Sequence, residues 1–205
     1  MFDLRFLCGG AFMLNTAFID DMSVRRTCAR QCMIKCSLDG EENSLQAKLV
    51  SVLNEALATQ LICVLRFKAH DHSGHTLSSK GDLDKFIDGN QRERFNPAQV
   101  HADRLANRIA QLGGIADFNP PCLVRRDYRD YMNTGSLPDI WREDLIAHRI
   151  AVDIFREMVR YVGARDRETR QILEGILADE KQQADSLAAK IASLVNRDQV
   201  CRVAV

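Results

Sequence analysis

No apolar run in this sequence approaches the roughly 20 residues needed to cross a bilayer, so a soluble chain without a membrane partner is expected. Charge of one sign is missing too: 28 Lys and Arg stand against 28 Asp and Glu, for a formal net charge of +0 at pH 7. No global field then draws the chain to nucleic acid, an anionic lipid surface or an acidic substrate, and a nucleic-acid partner is not expected. Proline is scarce at four residues, glycine at eleven, and the aromatic residues are nine Phe, three Tyr and one Trp. That scarcity, beside abundant Ala, Leu, Arg, Asp and Glu, leans away from β-rich and α/β architectures and toward long helices. The start, Met1-Phe-Asp-Leu-Arg-Phe-Leu-Cys-Gly-Gly, is apolar in flavour, but Asp3 and Arg5 make it a poor secretory signal. Seven cysteines are an odd number at no disulfide-framework spacing, which suits a reducing cytoplasm and predicts no bridges. What is abundant is apolar side chain: 46% of 205 residues, enough for the core of one ordinary domain.

Residues 1–43 carry no sustained helical stripe and hold four of the seven cysteines, so they read as a loose N-terminal extension. Cys28, Cys32 and Cys36 recur every fourth residue and would share one helix face, where thiolates suit a soft metal. The spacing matches neither a zinc finger nor an iron-sulfur run, and chance placement in a loose segment is the ordinary reading. Arg25, Arg26, Arg30 and Lys35 read as a solvated stretch rather than a DNA-binding arm, since Asp20, Asp21, Asp39, Glu41 and Glu42 dilute them.

Residues 44–197 carry the helical period. Leu45, Leu49, Val52, Ala56, Cys63 and Phe67 fall at three- and four-residue steps once Gln60 is counted in the stripe, which predicts a first helix from Ser44 to about Ser73-Gly74. A second runs from about Leu83 to Leu112, stopped by Gly113-Gly114, with a kink or restart at Asn96-Pro97. A long connection over 115–136 leads to a third helix from Leu137 to Gly163, with Pro138 in its first turn. Asp166 caps a fourth that reaches about Asn196, and 198–205 form a tail. Four such rods make an all-α four-helix bundle, and the long connection between the second and third implies a crossover.

The two halves match each other. His101-Ala-Asp-Arg-Leu-Ala-Asn-Arg-Ile-Ala-Gln-Leu112 aligns without gaps to Gln183-Ala-Asp-Ser-Leu-Ala-Ala-Lys-Ile-Ala-Ser-Leu194, and Gln60 and Phe67 lie over His148 and Phe155. Superposition puts a polar residue in the apolar stripe of every helix: Gln60, His101, His148, and the pair Glu180 and Gln183. Buried polar groups cost free energy unless paired or coordinated, so the convergence implies a metal site or a satisfied hydrogen-bond network.

Leu53-Asn-Glu-Ala-Leu-Ala-Thr-Gln-Leu, the His101 to Gly114 segment, Glu143-Asp-Leu-Ile-Ala-His-Arg-Ile-Ala and Ile176-Leu-Ala-Asp-Glu resemble the four helices of the bacterioferritin and ferritin-like superfamily over residues 45–195. The resemblance implies a ferritin-like bundle, assembly into a homo-oligomer or with a catalytic paralogue, and iron as the metal handled. It also implies a di-iron site built from a Glu on each of two helices and a Glu-x-x-His on each of the others. Here those positions read Gln60, then Ala98 and His101, then His148, then Glu180 and Gln183, so most of the site is replaced. Gln99 stands where a bacterioferritin methionine ligates haem, and no haem is expected.

With Glu180 alone in place of four carboxylates, two Fe²⁺ ions would keep about three uncompensated charges in a low-dielectric interior. Oxidation of Fe²⁺ is therefore expected to be weak or absent. Two arrangements stay open: one divalent ion on His101, His148 and Glu180, with Gln60 and Gln183 orienting the ligands, or hydrogen bonding among these five residues. His70, His72 and His75 form a separate cluster read as an exposed polar helix end. The expected role is iron handling in the cytoplasm; the alternatives are a noncatalytic binding or structural bundle and a Dps-like DNA-protecting protein, for which residues 1–43 hardly supply a basic arm.

Overall fold

A computed structural model describes residues 16–39, 44–77, 97–118 and 137–203. They form five α-helices, with no strand among the described residues: α1 (Thr16–Leu38), α2 (Leu45–Leu77), α3 (Pro97–Gln111), α4 (Leu137–Val162) and α5 (Arg167–Val203). Helices α2 to α5 are the four rods of the bundle. The pairs α2–α3 and α4–α5 each pack together, and they face one another through α2–α4 and α3–α5.

Helix ends follow local chemistry. The Ser44 hydroxyl accepts from the Ala47 N–H at 3.2 Å and opens α2. Pro97 is the first residue of α3, where a missing N–H costs nothing, so the expected restart is a helix start; the stretch before it, from Leu83 on, lies outside the described residues. Gly163 takes φ +56° just past α4, a left-handed conformation that a side chain would strain. Gly114 serves close approach: a Cβ there would lie 2.6 Å from both Val50 methyls, so α3 ends directly against α2. Two expected ends differ. Helix α2 continues through Gly74 to Leu77, and α5 runs to Val203, through the residues expected to form a tail.

Side-chain pairs fix the helix directions. Asn54 bonds Ile115 O at 3.1 Å and the Asp117 N–H at 2.9 Å, while Gln60 meets His101, so α2 and α3 are antiparallel. His101 meets Asp179 while Arg108 meets Asp166, so α3 and α5 are antiparallel as well. Arg66 pairs with Glu143, which makes α2 antiparallel to α4, because Gln60, earlier on α2, shares Glu180 with His148, later on α4. Helices α3 and α4 therefore run the same way, and the chain between them joins opposite ends of the bundle. This is the crossover that the long connection implied.

The expected loose extension is instead a helix over Thr16–Leu38, packed across α2 and α4. Met22, Ala29 and Met33 are buried in the same core as Leu53 and Phe155. Asp21 and Arg25 also lie buried on that face, and their charges interrupt the apolar stripe that would have announced a helix. The basic residues read as solvated form ion pairs: Arg25 with Glu55 of α2 at 3.3 Å, Arg26 with Asp153 of α4 at 3.4 Å, and Arg30 Nε with Glu157 of α4 at 2.8 Å. Residues 1–15 lie outside the described set.

Packed by α1, α3 and α4, helix α2 is apolar around much of its circumference. Leu45–Arg66, with a mean hydropathy of 1.5, is long and apolar enough by composition to cross a bilayer, contrary to the expectation that no such run exists. Leu49, Val52, Leu53, Leu57 and Ile62 are buried in the bundle, so this apolarity is that of a core helix.

Candidate functional site

Four of the five polar residues found in the apolar stripes meet in the core, one from each bundle helix. Gln60 of α2 is fully buried, His101 of α3 and Glu180 of α5 are buried, and His148 of α4 is about a quarter exposed. Gln60 Nε2 donates to Glu180 Oε1 at 2.9 Å, and His148 Nδ1 lies 2.6 Å from Glu180 Oε2. His101 Nδ1 faces Gln60 Oε1 at 3.3 Å, and its Nε2 faces Asp179 Oδ2 at 3.0 Å. Both oxygens of the Glu180 carboxylate, and both nitrogens of His101, are thus engaged by protein groups. Gln183 is half-buried and is not bonded to this cluster, and the methyl side chain of buried Ala98 brings no polar atom to it.

Charge tightens the cluster. Burial disfavours a charged His148 ring, but its bond to Glu180 and the negative charges of Glu180 and Asp144 outweigh that, holding its pKa above the ordinary value. Burial, and then the charges of Glu180 and Asp144, push the Cys63 thiol well above its ordinary value, so it stays a neutral neighbour.

Further along the interface between α2 and α4, Arg66 and Glu143 form an ion pair with both side chains about 2% exposed or less. Sequence reading missed this pair because Arg66 lies beside the apolar stripe and nothing in the spacing says that α4 covers it. It also missed Asp179, an immediate neighbour of Glu180, whose role depends on the facing position of His101. The side chains of His70, His72 and His75, like that of Phe67, lie outside the described set.

Among the described residues no set of three His, Cys, Asp or Glu side chains is gathered as metal ligands. His101 Nδ1 stands 3.8 Å from Glu180 Oε1 across the Gln60 amide. An ion on His101, His148 and Glu180 would have to displace both the Gln60 and the His148 hydrogen bonds to that carboxylate. The donor set does not fit a di-iron centre, for which it holds one buried carboxylate where four are needed.

Residues 92–195, half of the chain, match the ferritin-like domain family. With four helices in crossover order and one polar group from each at a common level, the chain belongs to that family. It is also similar to the nutrient stress-induced DNA-binding protein of Synechococcus sp., with 24% identity over 183 residues, covering 88% of this chain and 96% of the relative.

Proposed function

We propose that this chain is an iron-handling member of its family, bacterioferritin-like in its helices, whose own bundle core oxidises Fe²⁺ weakly or not at all. One observation carries the reading: Glu180 spends both oxygens on Gln60 and His148, so the surviving carboxylate is a hydrogen-bond hub. Opening that hub to an ion would break one buried and one part-buried hydrogen bond and still leave most of the positive charge uncompensated. The chain then contributes as a scaffold, in a homo-oligomer or with a catalytic paralogue.

Aerobic Fe²⁺ oxidation tests this directly. The rate with wild-type protein should equal that of buffer, and a variant carrying Q60E, A98E, H148E and Q183H should exceed it. Rapid oxidation by the wild type would sink the reading. Metal bound by purified wild-type protein and lost in H148A would favour a single ion on His101, His148 and Glu180 instead.

Association with DNA is a second reading, favoured by the alignment with the cyanobacterial DNA-binding relative over 88% of this chain. A balanced net charge offers no general attraction, so such binding would rest on a local patch and weaken steeply with salt. A gel shift on duplex DNA at low and at physiological salt decides it: retardation at both supports the reading, and none at low salt removes it.

A further inference from the structure

Helix α1 brings its three evenly spaced cysteines to a groove against α2, away from the bundle core. The groove, of about 480 Å³, is lined by Cys28, Cys32, Cys36, Lys35 and Lys48, together with Asp39 and Glu55. The three thiols differ in their surroundings. Cys36 is buried, and Cys32 Sγ lies 3.9 Å from Cys36 Sγ and 3.1 Å from the Ser51 hydroxyl. Burial foremost, with the charges of Cys36 and Glu55 behind it, pushes the Cys32 thiol up to about 11, so at neutral pH it stays protonated and unreactive. Cys28, one turn earlier on the same face, is half-buried and accepts from Arg25 Nη2 at 3.3 Å, while Glu55 accepts from Nη1 of the same guanidinium. The Arg25 side chain is 7% exposed, so its positive charge beside the Cys28 sulfur is little screened by water.

We propose that Cys28 is a modification site, at which this groove takes the disulfide of a small, carboxylate-bearing peptide thiol and keeps one half of it as a mixed disulfide. The step is thiol–disulfide exchange, with the small disulfide as oxidant. Cys28 gives its proton to water and its sulfur attacks one sulfur of that disulfide; the bond between the two halves breaks as the new S–S bond forms. The Cys28 sulfur is oxidised, and the other half leaves reduced, as a thiolate that takes up a proton. Arg25 holds positive charge where negative charge builds on the attacking sulfur. Lys35 follows Cys28 by seven residues, roughly 10 Å along the helix, and with Lys48 of α2 it sets cations within reach of a short peptide's carboxylates. Asp39 lines the same groove and can receive the peptide's amine. The adduct persists because Cys32 cannot displace it. Cβ atoms four residues apart on a helix are about 5–6 Å from each other, and a disulfide needs them about 3.5–4.5 Å apart.

The test incubates full-length, reduced protein without oxygen with oxidised glutathione or with cystamine, a disulfide that carries amines and no carboxylate. Cleavage after Arg26, Arg30 and Lys35 puts the three cysteines on separate peptides, so mass spectrometry of the digest reads each site. In the wild type Cys28 should carry the glutathionyl group, gained about tenfold or more faster than at Cys32 or Cys36. K35Q/K48Q, with helical circular dichroism unchanged, should slow oxidised glutathione at Cys28 by about threefold or more and leave cystamine no slower. Modification first at Cys32 or Cys36, or none at Cys28, would overturn the proposal. So would an internal bridge between Cys28 and Cys32 in place of the adduct, or a double variant that slows both disulfides alike or neither.

Discussion

His148 shows how one side chain couples the core to pH. Its pKa is raised above 6.5 in the folded chain, so its contribution to stability is fully present below that value and is lost as pH rises through the folded pKa. The groups that set this are Glu180, which bonds it, and Asp144, one turn earlier on α4. Urea midpoints should therefore decline as pH rises above the ordinary histidine range, and His148→Gln should flatten that decline; an unchanged slope in the variant would exclude His148 as its source. Glu180 was visible in the sequence as a polar intruder in an apolar stripe. Its partners were not, because hydrogen-bond pairing depends on which atoms of four different helices face one another, and spacing along one helix carries no such information.

At the scale of the element, two helices contrast. Helix α5 was legible from its start: Asp166 Oδ1 accepts from the Thr169 N–H at 2.8 Å. Burial acts to raise the Asp166 pKa, but the Thr169 backbone and Arg108, whose Nη2 sits 2.7 Å away, hold it below the ordinary carboxylate range. Asp166→Ala should cost about 1–2 kcal/mol in chemical denaturation, the loss typical of a cap. Asp166→Asn keeps an acceptor for the Thr169 N–H and should cost less; equal losses would place the effect in the Arg108 pair alone. Helix α1 was not legible, because its buried face mixes Met22, Ala29 and Met33 with Asp21, Arg25 and cysteine, and a stripe diluted by charge has no period to detect. Met22 is fully buried, so Met22→Ala should destabilise by about 2–5 kcal/mol. In a loose extension the same change would fall within about 0.5 kcal/mol, and a midpoint shift that small would argue against the packing of α1.

At the scale of the molecule, α1 changes what the bundle presents. It occupies the α2–α4 side and is held there by pairs reaching both helices, among them Arg25–Glu55 and Arg30–Glu157. Exposed pairs such as Arg30–Glu157 are worth about 1 kcal/mol or less each, so the apolar contacts of Met22 and Ala29 bear most of the attachment. Native mass should be at least twice 23.2 kDa and unaffected by moderate salt, as for an assembly through packed faces. A monomeric mass in light scattering would remove the homo-oligomer from the proposed role and leave co-assembly with a paralogue.

By itself the sequence determined the four bundle helices, most of their ends and the level at which polar residues enter the core. Those features rest on interactions within a turn or two of one chain segment: caps, glycine conformations and the helical period. Tertiary structure decided that Gln60, His101, His148 and Glu180 bond one another, that α1 packs as a fifth helix, and that three thiols line a groove against α2. Each of these depends on surfaces distant in sequence meeting in space, and the energy that selects them comes from contacts that no single segment contains.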